Sequence, residues 1–428
     1  MKRLKSIARK IKIKLINLGF KIIQFLDFLR IQIILTLGNQ SHSHQTPQLL
    51  VDISELVQED VKSGIQRVVR SITLEFLKNP PDGYQVEPIY FDGRTYRYAR
   101  HFTHHTFGIE QADVNDRRIA IAPHDIFLGL DLNFRFMPAI TRAWWQLKHH
   151  NLKIYFIVYD ILLIRHPEWW PPGADNLLRH WLVTVAEIAT GLICISKAVA
   201  DDVTDWLQHE SSFPHPLPKI THFHLGADIE NSVPTTGLPN NANTVLTLLK
   251  QRPSFLMVGT LEPRKGHQQA LDAFNLLWQD NLDINLVIVG KEGWLVESLI
   301  HQINTHPKLH QNLFWLQSIS DEYLEKIYES STALLAASYG EGFGLPLIEA
   351  ARRNLPIIAR DIPVFREIAG QSIHYFHANH PQDFSQLLQA WLRLDESQKI
   401  ISQKIIWLTW SQSSNQLFKI IFCGKNSD

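Results

Sequence analysis

The sequence predicts an α/β protein with two domains, each built on a mainly parallel β-sheet. The chain has 428 residues and is 45% hydrophobic, which is enough for two or three domains with apolar cores. Short apolar runs of strand length alternate along it with amphipathic helical patterns, and this alternation is typical of parallel strands joined by crossover helices. A stretch rich in Asn, Pro, Thr and Gly, which we assign as a hinge over residues 231–249, separates the two series.

The N-terminal segment differs in charge from the rest of the chain. Its first fourteen residues contain seven Lys or Arg and no acid, whereas the remaining residues contain 35 basic and 42 acidic side chains. The spacing of its apolar residues predicts a basic amphipathic helix over residues 1–37, suited to lie in a membrane interface. Lys21, Asp27 and Arg30 interrupt the apolar run and disfavour a spanning helix. The alternative is an extension that packs on the body of the protein or on a partner chain.

A first domain is predicted over residues 48–230, after a polar linker at 38–47. Its strands are expected in QLLVD, VEPIYF, DIFLGL, KIYFIVYD, GLICIS and PKITH. Ser63 and Ser196 precede helical patterns and are predicted N-caps. Gly64 follows the first cap and either brings the backbone close to a ligand or forms only a tight turn.

Polar residues follow the strand KIYFIVYD closely. Tyr159 and Asp160 end it, and Arg165 and His166 come shortly after. Ligands of α/β sheets bind beyond the carboxyl ends of the strands, so we expect these residues to lie at a ligand site. Each of them could equally be a surface loop residue.

The second domain, predicted over 250–410 with a C-terminal tail or helix at 411–428, opens with the strand Phe255–Val258. The turn after it contains Thr260, Arg264 and Lys265. Arg as a planar fork and Lys as a point charge suit a diphosphate. A second strand and turn follow in INLVIVGKEGW, which contains Gly290 and Lys291. Parallel strands gather such turns at one edge of the sheet.

The most informative segment is SYGEGFGLPLIE, which lies between the apolar run ALLAAS and a helix stopped by Asn354 and Pro356. Its glycines allow close approach to the backbone, and the amides that open the helix can take a phosphate. Either glutamate alone could be an ordinary first-turn acid that complements the helix dipole. The segment's candidate residues are Glu341, Gly342, Phe343, Gly344, Leu345 and Glu349.

Together, VGTLEPRKG, IVGKEGW, EGFGLPLIEA and DIPVFREIAG resemble the retaining family-four glycosyltransferases of the GT-B fold, and in particular O-antigen mannosyltransferases. The resemblance covers most of residues 48–412 and is strongest over 254–369. It implies two Rossmann-like domains that face each other across a cleft, here with an N-terminal amphipathic helix. Two positions depart from the family's pattern: Thr260 stands where many relatives have Arg, and Tyr159 where many have His.

By the resemblance, Glu341 contacts the donor sugar, Glu349 holds the ribose hydroxyls, and Arg264 with Lys265 neutralises the diphosphate. We assign Glu341, Asp160 and Lys265 as catalytic, and Tyr159, Arg165 and His166 to the acceptor side. The predicted donor-binding residues are Gly64, Thr260, Arg264, Lys265, Gly290, Lys291, Gly342, Phe343, Gly344, Leu345 and Glu349.

The predicted function is transfer of a hexose, with mannose from GDP-mannose preferred, to a glycan or lipid-linked acceptor in cell-surface polysaccharide or lipopolysaccharide synthesis. The enzyme would act as a peripheral protein at the cytoplasmic face of the membrane, which it would contact through residues 1–35. The alternatives are a GT-B-fold sugar-nucleotide epimerase and a non-catalytic sugar-nucleotide-binding scaffold. No Asp-x-Asp occurs in the chain, so we expect no metal and no cofactor besides the donor substrate, and no nucleic-acid partner.

Overall fold

A seven-stranded sheet organises the first half of the chain. The computed structural model describes residues 46–423, except 62, 111–112, 211–212, 214–215, 229–233, 396–398 and 400–403, so the predicted helix at 1–37 lies outside the described residues. The strand order is β3-β2-β1-β4-β5-β6-β7, and every pair except β2 and β3 is parallel. The strands are β1 Gln48–Asp52, β2 Gln85–Phe91, β3 Tyr96–Tyr98, β4 Ile126–Gly129, β5 Lys153–Val158, β6 Gly191–Cys194 and β7 Lys219–His222. The helices are α1 Ser54–Gln58, α2 Gly64–Lys78, α3 Arg100–Phe107, α4 Ala139–His149, α5 Leu162–Arg165, α6 Asp175–Ile188 and α7 Lys197–His209.

The second half is built on a six-stranded parallel sheet. Its order is β10-β9-β8-β11-β12-β13. The strands are β8 Ser254–Val258, β9 Asn285–Val289, β10 Leu313–Leu316, β11 Ala333–Ala336, β12 Ile357–Arg360 and β13 His374–Phe376. The helices are α8 Ala242–Gln251, α9 His267–Gln279, α10 Glu297–Asn304, α11 Asp321–Ser330, α12 Leu345–Arg352, α13 Pro363–Ala369, α14 Pro381–Leu392 and α15 Trp410–Phe418.

The central strands are covered on both faces. In β1, Leu49 and Val51 belong to one buried cluster and Leu50 to another. Successive side chains of a strand point to opposite faces, so a strand buried on both reads as a continuous apolar run rather than an alternating one. This explains why the sequence patterns located β1, β5 and β6. The short antiparallel strand β3 at the sheet edge was not predicted.

Both predicted N-caps are confirmed. The Ser63 hydroxyl accepts the Gln66 backbone N–H, and the Gln66 side chain accepts the Ser63 backbone N–H, which makes a capping box at the start of α2. The Ser196 hydroxyl accepts the Val199 N–H at the start of α7. The helices α2 and α7 therefore begin at positions set by local hydrogen bonding.

Two expectations about the connections need correction. The predicted hinge at 231–249 includes most of α8, whose buried Ala242, Val245 and Leu249 follow helical spacing, so a helix of the second domain begins at residue 242. The pattern of Trp391, Trp407 and Trp410 after residue 383 also predicts long C-terminal helices, but α14 and α15 have only 12 and 9 residues and Trp407 lies in neither.

The last helix returns to the first domain. Phe418 of α15 stacks on Phe76 of α2 with ring centroids 4.3 Å apart. The Trp410 N–H donates to Asp228 at 2.6 Å, and the position of Gly226 leaves no space for a Cβ against Trp410. Within the described part of the chain, no helix has both the length and the apolar character needed to cross a bilayer.

Candidate active site

The turn after β8 and the Gly-rich segment, residues 338–349, meet at a largely buried ion cluster. The Glu341 carboxylate accepts hydrogen bonds from Lys265 Nζ at 2.5 Å, from Arg264 Nη1 at 3.0 Å and from Ser338 Oγ at 2.7 Å. Arg264 also donates to the Gly340 carbonyl and to the Glu262 carboxylate. The ends of the neighbouring strands β8 and β11 thus place both basic residues and the glutamate on one spot, as their order along the chain predicted.

The electrostatics of this cluster favour charged groups despite burial. Burial acts to raise the pKa of Glu341, but Lys265 and Arg264 outweigh it and hold that pKa at about 2. Burial also raises the pKa of Asp160, which stands opposite in the first domain, while Arg264 lowers it and Glu341 raises it. The catalytic candidates Glu341, Asp160 and Lys265 therefore interact electrostatically across the domain boundary.

The glycines of the Gly-rich segment allow the two domains to touch. A Cβ on Gly342 would lie 2.2 Å from the Tyr159 carbonyl oxygen, and one on Gly344, whose φ is +102°, would lie 2.8 Å from Phe365. Ser196 Oγ donates to the Gly342 carbonyl at 2.8 Å. Gly342 and Gly344 are therefore required by close packing, whatever ligand contacts they also make.

The second predicted glutamate, Glu349, lies in α12 and is buried. Its Oε1 accepts a hydrogen bond from Arg67 Nη1 at 2.5 Å, and its Oε2 accepts one from the Tyr328 hydroxyl at 2.8 Å. Arg67 belongs to α2 of the first domain and also donates to Asp321 at 2.9 Å. Glu349 is thus held from both domains.

Other donor-side candidates make structural contacts. A Cβ on Gly290 would lie 1.9 Å from the Gly259 carbonyl oxygen, so Gly290 is needed for the close approach of the turns after β8 and β9. Thr260 packs against Gly293 in the same layer. Lys291 is exposed and its Nζ donates to the Val61 carbonyl of the first domain at 3.3 Å.

Phe343 and Leu345, two further donor-side candidates, lie at the domain boundary. Phe343 is buried beside His224, with ring centroids 5.6 Å apart, so its side chain packs at the domain boundary. Leu345 opens α12 and approaches Gly64 across that boundary, with Leu345 Cδ1 4.0 Å from a Cβ placed on Gly64. Gly64 itself is the first residue of α2.

The acceptor-side predictions for Tyr159 and Arg165 need correction. The Tyr159 side chain is buried and its hydroxyl donates to the Leu130 carbonyl at 2.8 Å, so it offers no free hydrogen bond to a ligand. Arg165 forms ion pairs with Asp202 and Asp205 on the surface of α7. Both follow a strand end, but the Tyr159 hydroxyl is bonded to Leu130 and the Arg165 guanidinium is paired with α7.

His166 lies at an aromatic cluster between the domains. Its ring stacks on Trp169 with centroids 4.1 Å apart, and Trp169 approaches Tyr339 of the Gly-rich segment. Trp170 stacks on Trp294 of the second domain at 6.1 Å. These rings lie near Arg264, whose guanidinium is 6.0 Å from the Trp170 ring.

Sequence reasoning missed Arg67, Ser338 and Glu367 as residues of this region. Glu367 of α13 accepts the backbone N–H groups of Lys197 and Ala198 at the start of α7, and accepts a hydrogen bond from His224 Nε2 at 2.7 Å. Ser338 lies inside the Gly-rich segment and could have been found there. Nothing in the pattern around Arg67 or Glu367 indicates that either faces the other domain.

Comparison with known proteins agrees with this geometry. Residues 242–406 match the model of the family described as glycosyl transferases group 1. The matched region contains Arg264, Lys265, Glu341 and Glu349, so the predicted resemblance to glycosyltransferases is confirmed over this region.

Curated relatives that match more than half of this chain include bacterial mannosyltransferases. The chain is 45% identical over 386 residues to the serotype-specific mannosyltransferase WbdA of Escherichia coli, covering 89% of this chain and 46% of that protein. It is 28% identical to the O-antigen chain mannosyltransferase B of Escherichia coli, covering 53% of this chain and 58% of that protein. The chain spans about half the length of the first of these relatives. The predicted resemblance to O-antigen mannosyltransferases is confirmed.

Solved structures with the same fold include Anabaena HepE in complex with UDP and glucose, with a TM-score of 0.61 and 14% identity over 88% of this chain and 99% of that one. Sucrose-phosphate synthase from Thermosynechococcus elongatus has a TM-score of 0.60 and 17% identity over 89% of this chain and 100% of that one. The predicted GT-B fold with two α/β domains is confirmed for the described part of the chain.

Proposed function

We propose that the protein is a retaining glycosyltransferase that moves a hexose from a nucleotide sugar to a glycan or lipid-linked acceptor in cell-surface polysaccharide synthesis. The observation that carries the proposal is the ion cluster of Glu341, Arg264 and Lys265, which faces Asp160 of the other domain. The preferred donor is GDP-mannose, which the curated names of WbdA and its relatives support as far as the sugar is concerned.

The cluster suits departure of a nucleoside diphosphate. Breaking the bond between the anomeric carbon and the diphosphate leaves negative charge on the leaving phosphate, which Arg264 and Lys265 stabilise without moving far. Glu341 balances these two cations and keeps them in place. A diphosphate competes for the same cations and leaves Glu341 free to accept hydrogen bonds from the sugar.

The configuration of the anomeric carbon is retained if the acceptor attacks on the same face of the sugar from which the diphosphate departs. The acceptor hydroxyl oxygen bonds to the anomeric carbon while the bond to the diphosphate breaks, and the hydroxyl proton passes to a diphosphate oxygen. This scheme needs no separate enzymatic base. Contact between the domains excludes water, which otherwise competes as the acceptor.

The first experiment measures donor binding and nucleotide release. Thermal unfolding in the presence of GDP-, UDP-, ADP- and dTDP-sugars identifies the donor, because a ligand bound by the folded state raises the Tm. Release of the nucleotide on addition of a lipid-linked glycan then measures transfer. A product formed with inverted anomeric configuration would contradict the retaining mechanism, and turnover without an acceptor would favour the epimerase alternative.

Substitutions in the ion cluster test the site itself. Glu341→Gln and Lys265→Met keep the approximate shape of each side chain but remove its charge, and we expect kcat to fall by about 100-fold or more. Lys250→Ala, on the exposed side of α8, is the matched control and should keep full activity. Wild-type turnover in either cluster variant would refute the assignment.

We also propose that the basic helix predicted at residues 1–37 holds the enzyme on the cytoplasmic face of the membrane. Its lysines would be attracted to anionic lipids at about 1 kcal/mol each near the surface. Co-sedimentation with phosphatidylserine-containing vesicles should be lost when Lys10, Lys14 and Lys21 are changed to Glu. Equal binding to neutral and anionic vesicles would contradict the electrostatic part of this proposal.

A further inference from the structure

Arg67 joins the two domains at the second predicted glutamate. Its Nη1 donates to Glu349 Oε1 at 2.5 Å and its Nη2 to Asp321 Oδ1 at 2.9 Å. Arg67 lies on α2 of the first domain, whereas both carboxylates belong to helices of the second. One guanidinium therefore holds two carboxylates with its planar fork, a geometry that a lysine cannot reproduce.

The Glu349 carboxylate can accept further hydrogen bonds in this arrangement. An ionised carboxylate offers about four lone-pair sites, and the hydrogen bonds from Arg67 and from the Tyr328 hydroxyl use one on each oxygen. The Glu349 side chain is only 4% exposed, so these two bonds also fix its orientation. One acceptor site on each oxygen remains for a pair of neighbouring hydroxyl groups.

Asp321, the second carboxylate that Arg67 contacts, is hydrogen-bonded to the segment that connects the domains. Asp321 Oδ2 accepts hydrogen bonds from the Thr235 backbone N–H at 2.9 Å and from the Thr235 hydroxyl at 2.8 Å. Thr235 lies between the last strand of the first domain and α8 of the second. The position of Arg67 is therefore tied to the relative position of the two domains.

We propose that Arg67 is a positioning residue that presents Glu349 to the ribose diol of the nucleotide, and does so only when the domains are closed. This inference rests on the proposed function, from which the role of Glu349 as the ribose-binding group is taken. The nucleotide then receives its full ribose contacts only in the closed arrangement in which Asp160 also faces Glu341. Domain closure and recognition of a ribonucleotide are coupled through one side chain.

The test compares ribose with deoxyribose nucleotides. The dissociation constants of GDP and UDP, and of their 2′-deoxy counterparts, are measured by calorimetry on the full chain. The wild type should prefer the ribonucleotide, because a buried carboxylate loses a partner when the 2′-hydroxyl is missing. In Arg67→Ala we expect this preference to fall by about tenfold. A merely structural role would weaken both nucleotides equally.

Matched variants separate this role from a general effect of charge. Arg70→Ala removes an arginine one turn later on the same helix, whose ion pair with Asp60 stays within the first domain, and it should leave the preference unchanged. Arg67→Lys keeps the charge but not the planar fork, so we expect its preference for the ribonucleotide to be intermediate. This variant replaces Arg67→Ala in the test if Arg67→Ala does not fold. In a Glu349→Gln background, Arg67→Ala should cause little further change in the preference for the ribonucleotide.

The outcomes distinguish the two proposals. If the wild type binds neither GDP nor UDP, the nucleotide site fails and this inference fails with it. If the wild type binds and prefers ribose, but Arg67→Ala and Arg67→Lys keep that preference, only the role of Arg67 is overturned. Tighter ribonucleotide binding by Arg67→Ala would also overturn it, because Arg67 would then compete with the ribose.

Discussion

Single residues in this protein show how burial and hydrogen bonding decide charge. Glu341 and Asp52 are both buried carboxylates, yet their pKa values move in opposite directions. Burial acts to raise the pKa of Glu341, but Lys265 and Arg264 hold it at about 2. Asp52, at the end of β1, has no cationic partner among its contacts, and burial raises its pKa to about 7 although Ser54 and Tyr96 donate hydrogen bonds that lower it. A paired charge is therefore kept and an unpaired one is neutralised.

Asp52 makes the stability of the first domain depend on pH. Its pKa is about 7 in the folded protein and 3.8 in the unfolded chain, so between these values the folded state binds more protons and its stability falls as the pH rises. Relative to Asp52→Asn, we expect the wild type to lose about 2 kcal/mol of unfolding free energy between pH 5 and pH 7.

Urea denaturation at several pH values measures this difference. Asp82→Asn, at an exposed position of the same domain, is the control and should follow the wild type at every pH. Parallel pH dependence of the wild type and Asp52→Asn would contradict the assignment of a raised pKa to Asp52.

At the scale of elements, α7 shows how a helix terminus can join two domains. Its first N–H groups are satisfied by Ser196 from its own domain and by Glu367 from the other. Burial acts to raise the pKa of Glu367, but the hydrogen bond from His224 and the two backbone N–H groups lower it. His222 brings a third possible ligand atom within 4.8 Å of those of His224 and Glu367. Because Glu367 already accepts two backbone N–H groups and His224, we interpret this group as an interdomain clasp.

Loss of the clasp should favour the open arrangement of the domains. Glu367→Ala leaves two N–H groups of α7 without protein acceptors, a loss comparable to that of a helix cap, about 1 kcal/mol. Small-angle scattering without ligand should show a larger radius of gyration than the wild type. Glu329→Ala, an exposed change on α11, should not alter it, and an unchanged radius for Glu367→Ala would mean that other contacts hold the domains together.

At the scale of the whole molecule, the C-terminal helix α15 packs on the first domain, although the second domain lies between that helix and the first domain along the chain. Leu417 of α15 is fully buried, and Phe418 stacks on Phe76 of α2. The chain therefore crosses the domain boundary more than once, and the stability of the first domain depends on residues more than 300 positions downstream of its first helices.

Leu417→Ala tests this dependence. Removing a buried leucine side chain costs about 2–4 kcal/mol, and we expect the loss in the urea transition that unfolds the first domain. Asn415→Ala, which is exposed on the same helix, is the control and should cost little. Full stability of the first domain in Leu417→Ala would show that α15 contributes no packing to it.

Local patterns in the chain are enough to locate most of the helices and strands and to identify the residues of the ion cluster. Central strands such as β5 and β6 are continuous apolar runs because both faces are buried. Ser63 and Ser196 indicate where helices begin, because a capping serine bonds to nearby backbone N–H groups. Arg264, Lys265 and Glu341 could be brought together from the pattern because neighbouring parallel strands end at the same edge of a sheet. Local patterning did not locate β3, whose three residues are too few for a periodic signal.

Which side chains meet across the domains depends instead on how the two domains pack. Tyr159 and Arg165 follow a strand end as the acceptor-side candidates should, yet one hydroxyl is used by Leu130 and the other side chain pairs with α7. Arg67 and Glu367 give no signal of these contacts in the sequence, because their partners lie 143 or more residues away along the chain. Spacing along the chain reports which residues share an element, whereas contacts between domains depend on how two separately folded surfaces come together.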